Sequence, residues 1–347
     1  MKKLLLSFVV LPAVLATAQV GVNTDTPQAT LDISAKDNQE GGDLRIQGVK
    51  EKSTQWILVW DEEDQKVKRT SLSDLKWDII VDKGKINYIR GKQPARADEI
   101  IKKIKQCAPE NVVFDKLFGV SGKHDFVYCA TIVSDGGYSR TWLNLNLGAE
   151  YANINSTNFD PAVSKTGEAI HTDGNLYGSL YQWQRASDGH EFRDSETIEE
   201  LASNWTETDK AAGKFITSSS DNWVSNPTLN LNLWQAGGIN NPCPSGYHVP
   251  TEQEWLEFHE VVTGRRDQAS TNQMMIQDKL PNLAAAGHRN YNNGLLEDTN
   301  ASGIYWSSTS IFNSPSLSIY FHSDKSSTGD FGSRTLGFSV RCIKDNN

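Results

Sequence analysis

The chain of 347 residues has only four cysteines, Cys107, Cys129, Cys243 and Cys342, and no two of them stand as C-x-x-C. That absence weakens zinc-knuckle and thioredoxin-like readings, both of which depend on the spacing. Beyond the N-terminus no apolar run approaches the roughly 20 residues that a membrane-spanning helix needs. Basic residues number 34 against 43 acidic ones, for a net charge of −9, and form no stripe. The balance argues against nucleic acid or an anionic membrane as partner. Catalytic motifs are missing as well. Gly337-Phe338-Ser339-Val340-Arg341 lacks the closing glycine of a nucleophile elbow. Gly213-Lys214 is followed by Phe215, with Thr at position 208, so no phosphate loop exists. His259-Glu260-Val261-Val262-Thr263 lacks the second histidine of a zinc helix. The seven histidines are scattered singly. The sequence therefore names no catalytic residue, no metal and no cofactor, and reads as a non-enzyme.

What is present begins with Lys2 and Lys3, an apolar stretch from Leu4 to Leu15, and Ala16-Thr17-Ala18. Charge, apolar run and small-residue site in that order predict a secretory signal over residues 1–18. Position 19 is Gln, not Cys, so the signal implies no lipid anchor. The expected location is the periplasm or the outer cell surface, with no transmembrane segment in the exported chain. An even set of cysteines in an oxidising compartment predicts two disulfides, with three pairings open. The preferred pairing is Cys107–Cys129, a local loop, with Cys243–Cys342. Cys243 sits between Pro242 and Pro244 in NPCPSGYHVPTEQEW, residues 241–255, a stiff loop that sets the direction of its sulfur. In GFSVRCIK, residues 337–344, Phe338, Val340 and Cys342 alternate onto one strand face and Ser339 and Arg341 onto the other. A bridge across this long loop is worth about 4–5 kcal/mol in the chain-entropy model.

Along the chain, VGVNTDTPQATLDIS (20–34) resembles the segment that opens many exported bacterial surface proteins and tail-fibre-like stalks. Residues 19–80 are thus expected to be β-rich or stalk-like and to allow homo-oligomerisation. WILVWDEEDQKVKRTSL (56–72) reads as a hairpin with an acidic turn from Asp61 to Asp64. Residues 81–130 form an intermediate segment with a short amphipathic helix at 97–106 and the local disulfide. From residue 131 onward short strands, glycine turns and tryptophans alternate; the chain has ten tryptophans. Thr251 and Glu254 predict a capping box that opens a helix over 252–263, closed by Gly264. Its buried face is expected to hold Trp255, Phe258, His259 and Val262.

TWLNLNLGA (141–149), LYGSLYQWQRA (176–186), NPCPSGYHVPTEQEW (241–255), LPNLAAAGHRN (280–290), GIYWSSTS (303–310) and GFSVRCIK (337–344) stand in the order typical of the FISUMP, or major paralogous, domain. Residues 136–344 resemble that family, and the C-P-S-G-[WY]-H-V-P and V-R-C blocks are the specific part of the likeness. The resemblance implies an exported bacterial protein of α+β class. Its C-type-lectin-like domain would span 131–347, with short twisted strands and few helices, behind a smaller β-rich N-terminal region. Formylglycine-generating enzymes and variable ligand-binding proteins share that fold group. The enzymes use a reactive cysteine pair, whereas all four cysteines here have structural assignments. By position, residues 303–336 would form the ligand-bearing surface.

Asp324 to Asp330 places oxygen-bearing residues at alternate positions with Gly329 sixth, as a calcium loop does. Thr335 occupies the twelfth place, where a bidentate Glu is required, so a polar hairpin turn is the better reading. In SLSIYFHS, Leu317, Ile319 and Phe321 are expected to face the core, with Ser318, Tyr320 and His322 on the other side. Tyr305, Asn313, Tyr320, His322, Asp324 and Arg334 form the candidate ligand-binding patch, since aromatics among hydroxyls and amides suit a glycan or protein ligand. The expected function is non-catalytic recognition or adhesion. The alternatives are a structural subunit assembled through residues 20–80 and an enzyme of the formylglycine-generating type.

Overall fold

The computed structural model describes residues 20–22, 31–33, 56–63, 65–227, 232–310 and 316–346. The expected signal, Asp64 of the acidic turn and the candidate ligand residue Asn313 lie outside these residues. The chain divides into two units, Met1–Thr54 and Gln55–Asn347. In the first, Val20–Val22 pairs in parallel with Leu31–Ile33.

The second unit opens with the expected hairpin, Trp56–Asp61 against Lys66–Ser71. Three helices follow: α1 (Leu72–Ile80), α2 (Lys83–Lys92) and α3 (Ala97–Ile104). Ser71 caps α1 by accepting the Asp74 amide, and Asp82 caps α2 by accepting the Gly84 and Lys85 amides. Neither helix is foreseen in the sequence, because α1 buries only Trp77 and α2 carries two glycines and a weak apolar stripe. The third falls inside the expected 97–106 and buries Ile100, Ile101 and Ile104. These helices share an apolar cluster with Phe114, Phe118 and Val127. The strand Val127–Asp135 runs through residue 130, so the segments 81–130 and 131–347 belong to one compact unit.

Three larger antiparallel sheets build the rest. A five-stranded sheet has the order Tyr247–His248, Ile343–Lys344, Tyr138–Leu143, Val127–Asp135, Val112–Phe114. One four-stranded sheet has the order Gln268–Ala269, Ser326–Gly332, Ser316–Phe321, Gly303–Trp306; the other runs Leu296–Glu297, His288–Arg289, Gly337–Phe338, Tyr181–Gln182. The fourth helix, α4 (Glu252–Thr263), matches expectation to the residue. Thr251 and Glu254 close the capping box, and Gly264 ends the helix at φ 68° in the left-handed region. Few helices among many short strands make an α+β fold.

One element departs from its sequence reading. Residues 337–344 do not form a single strand: Gly337–Phe338 belongs to one sheet and Ile343–Lys344 to another. Cys342 faces the core as expected, but Ser339 and Arg341 are buried too, because the segment passes between sheets and has no solvent side. Both sulfur pairs are the preferred ones, Cys107–Cys129 and Cys243–Cys342, each with 5.8 Å between Cα atoms. The interior is unusually rich in indole, and each buried donor needs an acceptor. Trp183 donates to Ser307 O, Trp223 to Trp183 O, Trp234 to Arg185 O, Trp255 to Trp306 O and Trp306 to Tyr181 O. Among the described residues no helix is long and apolar enough to cross a membrane.

Candidate functional site

The proline-fenced loop forms one wall of an open cleft of about 430 Å³. Pro244 to Tyr247 is a tight turn closed by the Tyr247 amide on Pro244 O at 3.0 Å, with Gly246 at φ 80° where a side chain would be strained. Cys243 fixes the start of this turn to Cys342, and Tyr247–His248 pairs with Ile343–Lys344. The opposite wall is the strand Val112–Phe114 with Asp115 and Lys116, and the end of α1 and start of α2 close one side.

Lys85, Lys116 and Lys344 bring three ammonium groups to the cleft. Lys85 Nζ lies 4.8 Å over the Phe114 ring. Lys116 Nζ donates to Asn241 O at 2.7 Å, and burial holds its pKa below the usual lysine value against the pull of Asp115. Lys344 has no ion-pair partner among the described residues. Three carboxylates line the same cleft. Glu110 lies 3.5 Å from Lys76 Nζ, and Asp82 accepts two amides at the start of α2. Asp115 is buried, accepting from the Leu117 amide and the Tyr128 hydroxyl. Three lysines thus face three carboxylates, and with Glu110 paired to Lys76 outside the lining the cleft keeps an excess of one positive charge in a chain that is acidic overall.

Behind Asp115 lies a chain of buried titratable groups. His124 Nδ1 stands 3.9 Å from Asp115 and its Nε2 3.0 Å from Glu191 Oε1. Glu191 Oε2 is 3.2 Å from His190 Nδ1, which meets Asp188 at 2.8 Å, and Asp188 also pairs with Arg185 at 2.8 Å. Desolvation lifts Asp115 to about 6 despite His124. Desolvation also works against ionised Glu191, but His124 and His190 outweigh it and hold the carboxyl at about 2. For His124, burial favours the neutral ring, yet Glu191 and Asp115 leave the pKa raised.

Asp188, His190 and Glu191 are close enough to share a metal ion, but their hydrogen bonds oppose it. His190 Nε2 accepts the Gln182 amide, which puts the ring proton on Nδ1, the atom facing the carboxylates. Asp188 is filled by Arg185 and by the His190 amide, and Glu191 Oε2 by the Gly189 amide. The donor set is that of an ion-pair network.

The structure separates the residues of the sequence-derived patch. Tyr305 is fully buried, donating to Ala284 O at 2.6 Å, and Trp306 beside it is buried as well. Arg334 is 8 % exposed and lies over the Trp183 and Trp205 rings, with Nη1 on Asn222. Both positions face the interior because 303–306 and 333–335 are covered by the tryptophan-rich core. Tyr320, His322 and Asp324 do share one hairpin: Lys325 lies over the Tyr320 ring and His322 bonds Asp324 at 3.0 Å. Ser318 is buried, so the face opposite Ile319 and Phe321 is itself partly covered. The calcium-like run is the turn and second arm of this hairpin, with Ser326–Gly332 a strand and Gly329 in its bulge.

The cleft lysines escape a sequence reading because they come from three distant segments and meet no spacing rule. The one local signal is the loop itself, whose two prolines and glycine mark a turn built to a fixed shape. No family model, curated protein or solved structure matches this chain.

Proposed function

We propose that the protein is an exported, non-catalytic recognition protein of the bacterial envelope, of FISUMP type with a C-type-lectin-like domain, and that its cleft binds an anionic ligand. The observation that carries this reading is the set of Lys85, Lys116 and Lys344 around a cleft where Glu110 is paired with Lys76, which leaves three lysines against Asp82 and Asp115. Two disulfides support an oxidising location and hold the cleft loop rigid, which lowers the ordering cost of binding. Formylglycine-generating chemistry needs a free thiol, and all four cysteines are paired. The test compares two double variants on glycan and peptide arrays. Lys85→Glu with Lys344→Glu should abolish binding of anionic ligands, while Tyr320→Ala with His322→Ala should leave it intact. The reverse result would move the site to the hairpin at 316–332.

A second reading, assembly through the N-terminal part, is favoured by one surface. Leu58, Trp60 and Val67 are 71 %, 60 % and 58 % exposed and share one face of the first hairpin, Trp60 directly across from Val67. Copies of the chain meeting on this face would give a concentration-dependent mass in sedimentation that Trp60→Glu removes.

A further inference from the structure

The geometry points to an extended acidic peptide as the occupant of the cleft, added as a strand to the open edge of Val112–Phe114; this rests on the reading of the cleft as the ligand site. Val112, Val113 and Phe114 pair with Cys129, Tyr128 and Val127, and the Asp115 amide donates to Phe126 O. That bond marks Asp115–Phe126 as a hydrogen-bonded pair, and alternation makes Val113–Tyr128 the next one. The backbone groups of Val112 and Phe114 therefore point away from the neighbouring strand, and both residues line the cleft. The Val112 amide is taken by Pro109 O. Among the described residues the Val112 carbonyl and the Phe114 amide and carbonyl have no backbone partner, which is the alternating pattern that a peptide strand completes.

Across the cleft the Tyr247 amide is used on Pro244 O and its carbonyl accepts Asn241 Nδ2 at 2.7 Å, so Tyr247 offers a peptide no free backbone group. A peptide bonded to Phe114 would run between the two walls, which place Lys85 and Lys344 beside its acidic side chains and Ile80 and Val81 beside its apolar ones. A saccharide fits the lining less well. Sugar sites rely on exposed ring platforms and neutral amides, but Phe114 and Tyr247 are buried and Ser245 is the one exposed neutral hydroxyl of the turn.

The experiment pans a random decapeptide display library against the whole exported protein and measures oligogalacturonate binding in parallel. Recovered peptides are synthesised and titrated by fluorescence anisotropy against wild type and against Lys85→Glu and Lys344→Glu, with folding checked by thermal melts. The proposal predicts peptides rich in Asp and Glu at alternate positions. It predicts at least a ten-fold loss of affinity in either variant, a ten-fold loss when the peptide is N-methylated at alternate residues, and slowed hydrogen exchange at the Phe114 amide. Recovery of neutral or basic peptides, or indifference to N-methylation, overturns it. Oligogalacturonate binding that the two substitutions abolish, with no peptide recovered, overturns the peptide and leaves the anion-binding cleft standing. Self-association lost in Lys344→Glu would replace the peptide with a second copy of the chain. Failure of peptide and oligosaccharide alike removes both readings.

Discussion

Arg341 shows what the V-R-C block contributes. Its side chain is fully buried and donates to Asn146 Oδ1 from Nε and Nη2, and to the carbonyls of Leu143, Pro281 and Asn282. Burial pulls its pKa down to about 10, and carbonyl dipoles supply the compensation that a carboxylate would otherwise give. Lysine keeps the charge but cannot reach three directions from a planar fork. Arg341→Lys is expected to cost about 3–5 kcal/mol, as breaking a buried charge network does, read from the denaturant midpoint. His248 gives a second residue-scale test. Burial favours the neutral ring, but Glu254 and Asp345 on its two nitrogens leave the pKa raised above 6.5. Its contribution is therefore full below pH 6.5 and lost as pH rises through the raised value. Replacing His248 with Gln should flatten that part of the stability profile. The alternation that puts Arg341 opposite Cys342 is legible in the sequence. That both faces are interior is not, because alternation reports direction and says nothing of what covers each side.

At the scale of elements, α4 was readable and α1 and α2 were not, for a local reason. The ends of α4 are written in the chemistry of Thr251, Glu254 and Gly264, which bond within a few residues. Ser71 and Asp82 cap α1 and α2 locally as well, but neither helix has a reciprocal capping box or a glycine stop, and their few apolar residues pack against the Phe114–Phe118 segment and α3. The Cys107–Cys129 bridge ties the end of that helical layer to the long central strand, beside the strand Val112–Phe114 that lines the cleft. Its loop of separation 22 gives about 3–4 kcal/mol in the chain-entropy model. The double variant Cys107→Ser, Cys129→Ser should melt earlier and exchange the Val113 amide faster, while the Cys243–Cys342 end of the five-stranded sheet keeps its protection. Equal loosening at both ends would show that the bridge does not act locally. The cleft is invisible at this scale in the sequence, since its walls come from separate elements and meet only through the sheet order.

For the molecule as a whole, the chain of ionisable groups from Asp115 to Arg185 sets an unusual pH dependence, because it joins the segment under the helical layer to the core around Tyr181 and Trp183. Asp115 has a folded pKa of about 6 against an ordinary 3.8, so the folded state binds more protons between those values and gains stability as pH falls through them. His124, with its pKa raised, adds stability that is complete below 6.5 and fades as pH rises. Glu191 works in the other direction: at about 2 against 4.5, its contribution is full above pH 4.5 and is lost as pH falls toward 2. The three together favour a weakly acidic optimum. Thermal melts should place Tm higher at pH 5 than at pH 8 and drop it steeply below pH 4. In Asp115→Asn the gain between pH 7 and pH 5 should shrink, and in Glu191→Gln the acid loss should shrink while Tm at pH 7 falls. A Tm at pH 8 equal to that at pH 5, unchanged by Asp115→Asn, would mean that these groups do not carry the protonation states their burial and contacts assign.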